Sequence, residues 1–283
     1  MNISHIGFIG FGLIGGSIAK ALKEFYPDCH IVAASRSLEP LLKAKEENVV
    51  DVVSEGVTDI FSACDIIFIC TPVVTITKYL EQLKPVIKND CIITDVGSVK
   101  GIVHQAAAKL DMEKYFIGGH PMAGSELSGY AHSYAGLLDG ARYVITPSEK
   151  TSKEHLDAYI QLVKDIKAVP IVMDYETHDY SAAAISHVPH LISAALTKLV
   201  KDSDCDEGYM HLLAAGGFKD TTRIAASSPE MWEQICASNL AAITSLLADY
   251  IDLLTEMKNQ LNNGNYTYVN ELFNEAGKYR NTF

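Results

Sequence analysis

The fold of this chain is decided by the stretch His5-Ile6-Gly7-Phe8-Ile9-Gly10-Phe11-Gly12-Leu13-Ile14-Gly15. Its residue types indicate a short β-strand, a glycine-rich turn and the start of a helix that continues over residues 17–23. The first glycine permits a sharp turn, the second lets a pyrophosphate pass close to the backbone, and the third lets the helix pack on the strand. We therefore predict a dinucleotide-binding turn whose cofactor-binding residues are Gly10, Phe11, Gly12, Leu13, Ile14 and Gly15.

Further strand-like segments alternate with helical ones as far as residue 174. They occupy residues 30–34, 49–53, 66–70, 91–94, 143–146 and 171–173. The segment 66–70 is apolar on both faces, which is typical of a central strand in a parallel sheet. The alternation predicts an α/β protein with a Rossmann-type, doubly wound dinucleotide-binding domain at residues 1–174. An all-helical domain for substrate binding and dimerisation is predicted at residues 175–283.

The choice of cofactor depends on the end of the second strand, where the sequence is Ser35-Arg36-Ser37. An Asp or Glu at this place binds the ribose hydroxyls of NAD, and this chain has neither. A guanidinium with neighbouring hydroxyls suits a 2′-phosphate, so Ser35 and Arg36 favour NADP over NAD. The alternative is that Arg36 only stacks on the adenine, which both cofactors carry. Thr71 and Pro72, in the loop after the strand at 66–70, are expected to line the same site.

Ser98 lies in the loop Asp95-Val96-Gly97-Ser98-Val99-Lys100, which follows the strand at 91–94. Its hydroxyl can orient a neighbouring imidazole or hydrogen-bond the nicotinamide amide, so we assign it a catalytic and a cofactor-binding role. The structural alternative is that Ser98 caps the helix that starts near Lys100, and the two roles are compatible.

His120 is the predicted catalytic residue, within Gly118-Gly119-His120-Pro121-Met122-Ala123-Gly124-Ser125-Glu126. The small residues predict a tight turn that leaves room for another molecule. Histidine is the side chain most easily poised to exchange a proton near neutral pH. We place His120 where the cofactor and an acidic substrate meet.

The helical domain is predicted to begin with a histidine-rich helix. We expect this helix at residues 178–201, capped by Thr177 and kinked at Pro189. A kink beside His187 and His190 is typical of a helix whose side chains line a cavity. The two histidines have a spacing that a metal ion could use, but no third ligand is apparent, so no metal site is predicted.

Two cations follow in Gly216-Gly217-Phe218-Lys219-Asp220-Thr221-Thr222-Arg223. Arg223 can bind a carboxylate through two parallel hydrogen bonds, which makes it a substrate-binding candidate. The alternative is an isolated surface arginine.

The last part of the chain predicts a long helix from Pro229 towards Gly264, and a final helix over residues 269–279. Apolar residues recur along the long helix at alternating spacings of four and three: Cys236, Leu240, Ile243, Leu247, Tyr250, Leu254, Met257 and Leu261. Because the helix is apolar on more than one side, we predict a homodimer formed through this domain. A core of a single-chain helical bundle is the alternative.

Composition limits the classes of partner. The net charge of −12 over 283 residues argues against nucleic acid and against anionic membranes, which require a basic face. The six cysteines show no metal-type spacing, so reduced thiols are expected. The first twelve residues lack the basic segment of a signal peptide, and no uninterrupted apolar run reaches the roughly 20 residues of a bilayer span. We expect a cytoplasmic protein.

Four motifs together resemble the prephenate/arogenate dehydrogenases of tyrosine biosynthesis. They are Gly10-x-Gly12-x-x-Gly15, the loop 95–100, the segment 119–124 and the segment 217–223. The resemblance implies an oxidative decarboxylation in which a hydride goes to NAD or NADP and a ring carboxylate leaves as carbon dioxide. By position it implies that His120 interacts with the substrate hydroxyl and that Ser98 holds the imidazole. Arg223 would bind the ring carboxylate of a small dicarboxylate substrate, with further contacts from His190, Ser125 and Lys219, and Asp179 or Asp220 would orient these groups.

Other functions remain open. Arogenate, in which an amino group replaces the keto group of prephenate, is an alternative substrate, since one contact could change the preference. A dehydrogenase of the broader β-hydroxyacid type would have no special need for His120. A non-catalytic dinucleotide sensor would have no use for a carboxylate-binding arginine.

Overall fold

The computed structural model describes residues 3–124 and 127–283, and the predicted Rossmann-type domain is present in it. Five parallel strands form its sheet in the order β3-β2-β1-β4-β5. Their bounds are β1 (His5–Ile9), β2 (His30–Ala34), β3 (Val52–Ser54), β4 (Ile66–Ile69) and β5 (Ile92–Asp95). The strand order reverses between β1 and β4, and such a reversal opens a crevice at the carboxyl ends of the strands.

Three more strands extend the domain: β6 (Gly118–Pro121), β7 (Arg142–Thr146) and β8 (Val169–Val172). A bridge between Ile93 and Phe116 joins them to β5. The expectation that His120 lies in a tight turn is wrong, because His120 pairs with Val144 of the antiparallel strand β7. The preceding glycines serve close packing instead. A Cβ atom on Gly119 would lie 2.4 Å from the hydroxyl of Tyr159 and 2.7 Å from the Asp95 carbonyl.

Five helices cover the two faces of the sheet. They are α1 (Leu13–Phe25), α2 (Glu39–Glu46), α3 (Val73–Leu83), α4 (Gly101–Lys109) and α5 (Lys153–Asp165). Successive residues of each strand point to opposite faces, so Phe8 and Ile31 belong to one buried cluster, and Ile9 and Val32 belong to the other. The sheet is thus buried on both faces, and ligands can reach it only at its edges.

The helical domain starts with one continuous run, Tyr175–Ser203. It consists of α6 (Tyr175–Ala182), a π-helical turn (Ala183–His187) and α7 (Val188–Ser203). The predicted cap Thr177 is wrong: Asp174 caps α6 by accepting from the Thr177 backbone N–H at 2.7 Å. Pro189 has no N–H to donate to the preceding turn. The wider π-helical turn lies directly before it and lets the helical run continue through the proline.

The remaining helices are α8 (Tyr209–Leu213), α9 (Gly216–Thr222), α10 (Pro229–Ser238), α11 (Leu240–Asn262) and α12 (Tyr266–Arg280). The expectation of one helix from Pro229 to Gly264 is wrong, because the chain leaves helical geometry at Asn239, where φ is −125°. The Asn239 amide donates to the Asp179 carbonyl at 2.8 Å. The break therefore ties α10 and α11 to the first helix of the domain.

Much apolar surface of the helical domain is uncovered in a single chain. Leu240, Leu254 and Leu261 of the predicted seam are 61%, 42% and 45% exposed, and Ile243 is buried. The run Tyr175–Ser203 is also long and apolar enough to span a bilayer by length and composition alone. However, it carries the buried His178 and Asp179, which are hydrogen-bonded to each other. The exposed leucines of α11 form an apolar surface that is typical of a domain packing against another chain.

Candidate active site

The glycine turn between β1 and α1 has the geometry of a phosphate-binding loop. Gly10 has a φ of +83°, and a Cβ atom there would lie 2.6 Å from the Cys70 carbonyl, so only glycine fits. A Cβ atom on Gly12 would meet nothing within 4 Å, so the chain leaves open space beside it. Within the described residues, no side chain caps the N-terminus of α1. Its free N–H groups and this space fit a pyrophosphate.

Three cavities follow one another from this turn to the helical domain. The first, of about 320 Å³, lies where β2 and β4 end, and it shares Thr71 and Pro72 with the second. The second, of about 400 Å³, lies between Ser98 and α10. The third, of about 740 Å³, shares Ser228 and Met231 with the second. The first two suit the adenosine and nicotinamide ends of an extended dinucleotide, and the third suits a substrate beside the nicotinamide.

A line of three side chains runs from β6 into α6. His120 Nδ1 lies 2.8 Å from His178 Nε2, and His178 Nδ1 lies 2.8 Å from a carboxylate oxygen of Asp179. Asp179 also accepts from the backbone N–H groups of Lys100 and Gly101, each at 2.8 Å, where α4 begins. The carboxylate is therefore held by three donors, and it fixes the orientation of His178.

This line determines which nitrogen of His120 can act. Because the Asp179 carboxylate only accepts, His178 carries a proton on Nδ1. A neutral His178 accepts at Nε2, so His120 donates from Nδ1. The lone pair of His120 is then on Nε2, which is the nitrogen able to take a proton from a substrate hydroxyl.

The surroundings keep His120 neutral. Burial, together with the positive charge of Lys100 and the nearby imidazoles of His178 and His187, holds the pKa of His120 well below the ordinary value of histidine. A neutral imidazole is the form in which histidine is a base, so His120 is already in that form at neutral pH.

A buried ion pair fixes the strand that carries His120. Lys100 and Asp95 are fully buried, and the ammonium group donates to the Asp95 carboxylate and, at 2.7 Å, to the Gly119 carbonyl. Asp95 accepts in turn from the Gly119 N–H at 3.2 Å. Burial lowers the pKa of Lys100, and Asp95 opposes that shift. Since breaking such a pair leaves an uncompensated buried charge, the pair holds β6 firmly against β5.

The third cavity is lined by His190 of α7 and Arg223 of the 3₁₀ segment Arg223–Ala226. His190 Nδ1 donates to the Ser186 carbonyl at 2.8 Å, so Nε2 is an acceptor while the ring is neutral. The Trp232 ring stacks on His190 with centroids 4.0 Å apart and fixes the plane of the imidazole. An arginine and an oriented imidazole in one cavity can bind a small anion with a polar side chain.

The other predicted site residues are partly brought together. Ser35, Arg36, Thr71 and Pro72 line the first cavity, and Ser98 lines the second. The expected hydrogen bond between Ser98 and the imidazole is not found among the described residues, where His178 is the partner of His120. Nor does Ser98 cap α4, because Asp179 accepts from the first N–H groups of that helix.

One predicted substrate residue is not brought to the third cavity, and another cannot be compared with it. Lys219 is exposed on α9 and does not line it. Ser125 lies outside the described residues. The substrate-binding roles of both stay predictions.

Comparison with known proteins decides the family. Residues 18–172 match the family described as prephenate dehydrogenase, nucleotide-binding domain, and residues 174–275 match prephenate dehydrogenase, dimerization domain. The chain belongs to the prephenate dehydrogenase family. The prephenate dehydrogenase of Bacillus subtilis is 34% identical over 273 residues, which are 96% of this chain and 74% of that protein.

Solved structures of the family have the same fold. Prephenate dehydrogenase from Aquifex aeolicus in complex with hydroxyphenyl propionate and NAD+ has a TM-score of 0.92 and 29% identity, covering 99% of this chain and 98% of that one. Synechocystis arogenate dehydrogenase has a TM-score of 0.88 and 31% identity, covering 98% of this chain and 99% of that one. The predicted family and the predicted Rossmann-type domain followed by a helical domain are confirmed.

Sequence reasoning missed several residues of this prephenate dehydrogenase family site. It gave no role to His178, Lys100 or Asn239 and left the role of Asp179 open. The pair His178-Asp179 at a helix start was a usable signal, since an adjacent acid often orients an imidazole. Nothing in the sequence indicated that this pair lies against His120, because the contact spans 58 positions.

Replacing His178 with phenylalanine tests the line from Asp179 to His120. The ring volume is kept, but His120 Nδ1–H loses its acceptor, and we expect kcat to fall roughly 10- to 100-fold, the scale seen when an orienting partner is lost. Dinucleotide affinity, measured by fluorescence titration, should not change. His155→Phe is the matched control, since His155 is also a buried histidine, on α5, and contacts the carboxylate of Asp90. Equal kcat values for the two variants would contradict the positioning role.

The depressed pKa of His120 predicts the acid limb of activity. Its base form persists below the ordinary histidine pKa of about 6.5, so log kcat/KM should stay flat through that pH and decline only at lower pH. A midpoint at or above 6.5 would contradict this.

Burial lowers the pKa of His104 and His187 to about 4, so the unfolded state binds more protons than the folded state from 6.5 down to 4. The free energy of unfolding therefore falls as the pH is lowered through that window. Circular dichroism spectra recorded at each pH show whether the protein is still folded where its activity declines.

Proposed function

We propose that this chain catalyses the oxidative decarboxylation of prephenate to 4-hydroxyphenylpyruvate with a nicotinamide dinucleotide. The observation that carries the proposal is the line Asp179–His178–His120, which leaves a lone pair on a buried imidazole. Dinucleotide-sized cavities adjoin a cavity lined by Arg223. A base and a carboxylate-binding cation are what this chemistry needs, whereas a non-catalytic sensor would need neither.

The cofactor fits the residues present. The open space at Gly12 and the uncapped start of α1 would hold the pyrophosphate, and Ser98 with Thr71 and Pro72 would surround the nicotinamide. When bound, the nicotinamide accepts the hydride from the ring carbon that carries the hydroxyl. The protein's part is to remove the hydroxyl proton and to hold the ring.

His120 performs the proton transfer in this proposal. Its Nε2 takes the hydroxyl proton while the C–H bond of the same carbon breaks, and the resulting positive charge is shared with the line to Asp179. The ring ketone then draws electrons from the bond to the departing carboxylate, and aromatisation drives this step. The proton returns from His120 to the phenolate oxygen, so substrate and oxidised cofactor give product, carbon dioxide and reduced cofactor with no net proton.

Arg223 binds the ring carboxylate in this proposal, and His190 contacts the side chain of the substrate. A leaving carboxylate must be positioned without being over-stabilised, and a single arginine in a cavity open to water meets that requirement. Ser125 and Lys219 are further substrate contacts that the sequence predicts.

NADP is the proposed cofactor in preference to NAD. The support is the first cavity, where Ser35 and Arg36 stand at the end of β2 and no carboxylate is among the lining residues. A carboxylate there would bind the ribose diol of NAD and repel a 2′-phosphate.

Arogenate is the second candidate substrate, and one observation favours it. A neutral His190 presents an acceptor at Nε2, because its Nδ1–H is held by the Ser186 carbonyl. An ammonium group donates to such a nitrogen, whereas the keto group of prephenate does not. The solved Synechocystis protein that matches this chain is named an arogenate dehydrogenase.

A cytoplasmic homodimer is the proposed state of the protein. Free thiols at all six cysteines support a reducing compartment. The exposed apolar residues of α11 and the match to a dimerization domain support a dimer through the helical domain.

Reduced-nicotinamide absorbance tests the proposal in four assays, with prephenate and arogenate each offered with NAD and NADP. We expect turnover with NADP to exceed turnover with NAD, and one substrate to dominate. Turnover of arogenate alone would assign the second candidate function. The absence of turnover in all four, with dinucleotide binding intact, would overturn the dehydrogenase proposal.

A further inference from the structure

The first cavity contains a second cation that the sequence did not indicate. Its lining residues combine two hydroxyl-rich loops with the first half of α3: Gly10, Ser35, Arg36, Cys70, Thr71, Pro72, Thr75, Lys78 and Tyr79. Arg36 comes from the end of β2, and Lys78 comes from α3, so the two positive side chains approach from different elements. The lining set contains no Asp or Glu. This cavity therefore has the charge of an anion site.

The orientation of Lys78 is fixed by the helix that carries it. Thr71, Thr75 and Lys78 are spaced by four and three residues, so they lie on one side of α3 and of the turn before it, towards the cavity. Ile76 and Leu80, on the other side, are fully buried in the core. The helix cannot rotate without exposing these residues, so α3 keeps the side that carries the exposed Lys78 towards the cavity.

The polar groups of the cavity divide into engaged and available ones. The Thr75 hydroxyl contacts the Pro72 carbonyl at 2.8 Å and the Thr71 hydroxyl at 2.9 Å. These hydroxyls are therefore engaged in hydrogen bonds within the loop and the first turn of α3. Within the described residues, neither Arg36 nor Lys78 forms an ion pair.

Neighbouring lysines behave differently. Lys20 pairs with Glu47 at 3.5 Å, and Lys23 pairs with Asp51 at 3.1 Å. These two lysines of α1 are therefore already paired with carboxylates, whereas the two cations of the first cavity are available to a ligand.

We propose that Lys78 and Arg36 together bind the phosphate on the 2′-oxygen of the adenosine ribose, and that Lys78 is a determinant of cofactor specificity. The inference rests on the proposed dinucleotide binding, and it goes beyond the role of Arg36. An arginine alone can stack on adenine and serve both cofactors. A lysine on the facing wall acts as a point charge with three donors, which suits a dianionic phosphate and adds nothing for a bare diol.

Calorimetric binding of two small probes tests the proposal without catalysis. The probes are 2′,5′-ADP and 5′-ADP, which differ in the position of the second phosphate. We expect Lys78→Ala to weaken 2′,5′-ADP about tenfold with 5′-ADP unchanged, and Lys78→Glu to weaken 2′,5′-ADP further through repulsion. Arg36→Ala should act in the same direction. Lys45→Ala is the matched control, since Lys45 is an exposed lysine of α2 that does not line the cavity, and it should bind both probes like the parent.

The outcomes separate this proposal from the proposed function. Equal affinity of Lys78→Ala and the parent for 2′,5′-ADP, or equal weakening of both probes, overturns the role of Lys78. None of these results alters the dehydrogenase proposal, because turnover with NAD is measured separately.

Discussion

Replacing His120 with asparagine is expected to lower kcat roughly 10³-fold, the middle of the range for loss of a general base. Asparagine can still offer an N–H near the place of Nδ1 and keep the contact with His178, which is 2.8 Å long in the parent. It has no basic nitrogen at the place of Nε2, so the substrate hydroxyl keeps its proton. The measurement is steady-state formation of reduced nicotinamide at saturating substrate and cofactor.

His132→Asn is the control for that result, because His132 is exposed and lies away from the three cavities. Its kcat should equal that of the parent. Dinucleotide binding by His120→Asn should also be normal, since no cofactor cavity is lined by His120. Near-normal turnover by His120→Asn would rule out the role of this residue as the base and favour a β-hydroxyacid type of dehydrogenase.

Replacing Arg223 with alanine is expected to reduce kcat/KM by roughly two to three orders of magnitude, mainly through KM. The variant loses the cation that lines the third cavity, and the ring carboxylate of the substrate then lacks its charged partner. Cofactor affinity should stay the same, because Arg223 does not line the first two cavities. Initial rates over a range of substrate concentrations separate the two kinetic terms.

Arg142→Ala is the matched control for Arg223. Arg142 is exposed on β7 and is not a lining residue of the third cavity. An unaltered KM in Arg223→Ala would remove this arginine from the site, and an equal loss in both variants would indicate a general effect of removing positive charge.

The nucleotide-binding half of the site could be predicted because its signals are local. Gly10 and Gly12 stand in a strand–turn–helix context, and each has a backbone reason to be glycine. The segment 66–70 shows its burial through unbroken apolarity, and Arg36 follows β2 directly. Such features need no knowledge of distant residues.

The centre of the site could not be predicted because it is assembled by packing. His120 meets His178 only when β6 and α6 come together, whereas the family resemblance implied Ser98 as the partner of His120. The break at Asn239 was hidden within apolar periodicity, because a single polar residue in a helical pattern is usually just exposed. Its amide instead bonds to the Asp179 carbonyl, a contact that the sequence alone does not indicate.

The central claim is that His120 is neutral and presents an unprotonated Nε2. Nitrogen-15 NMR of the histidine rings, with the His120 signals assigned by comparison with His120→Asn, measures this directly. We expect a proton on Nδ1 and none on Nε2 from neutral pH to below the ordinary histidine pKa of about 6.5. A proton on Nε2, or a doubly protonated ring at neutral pH, would contradict the account.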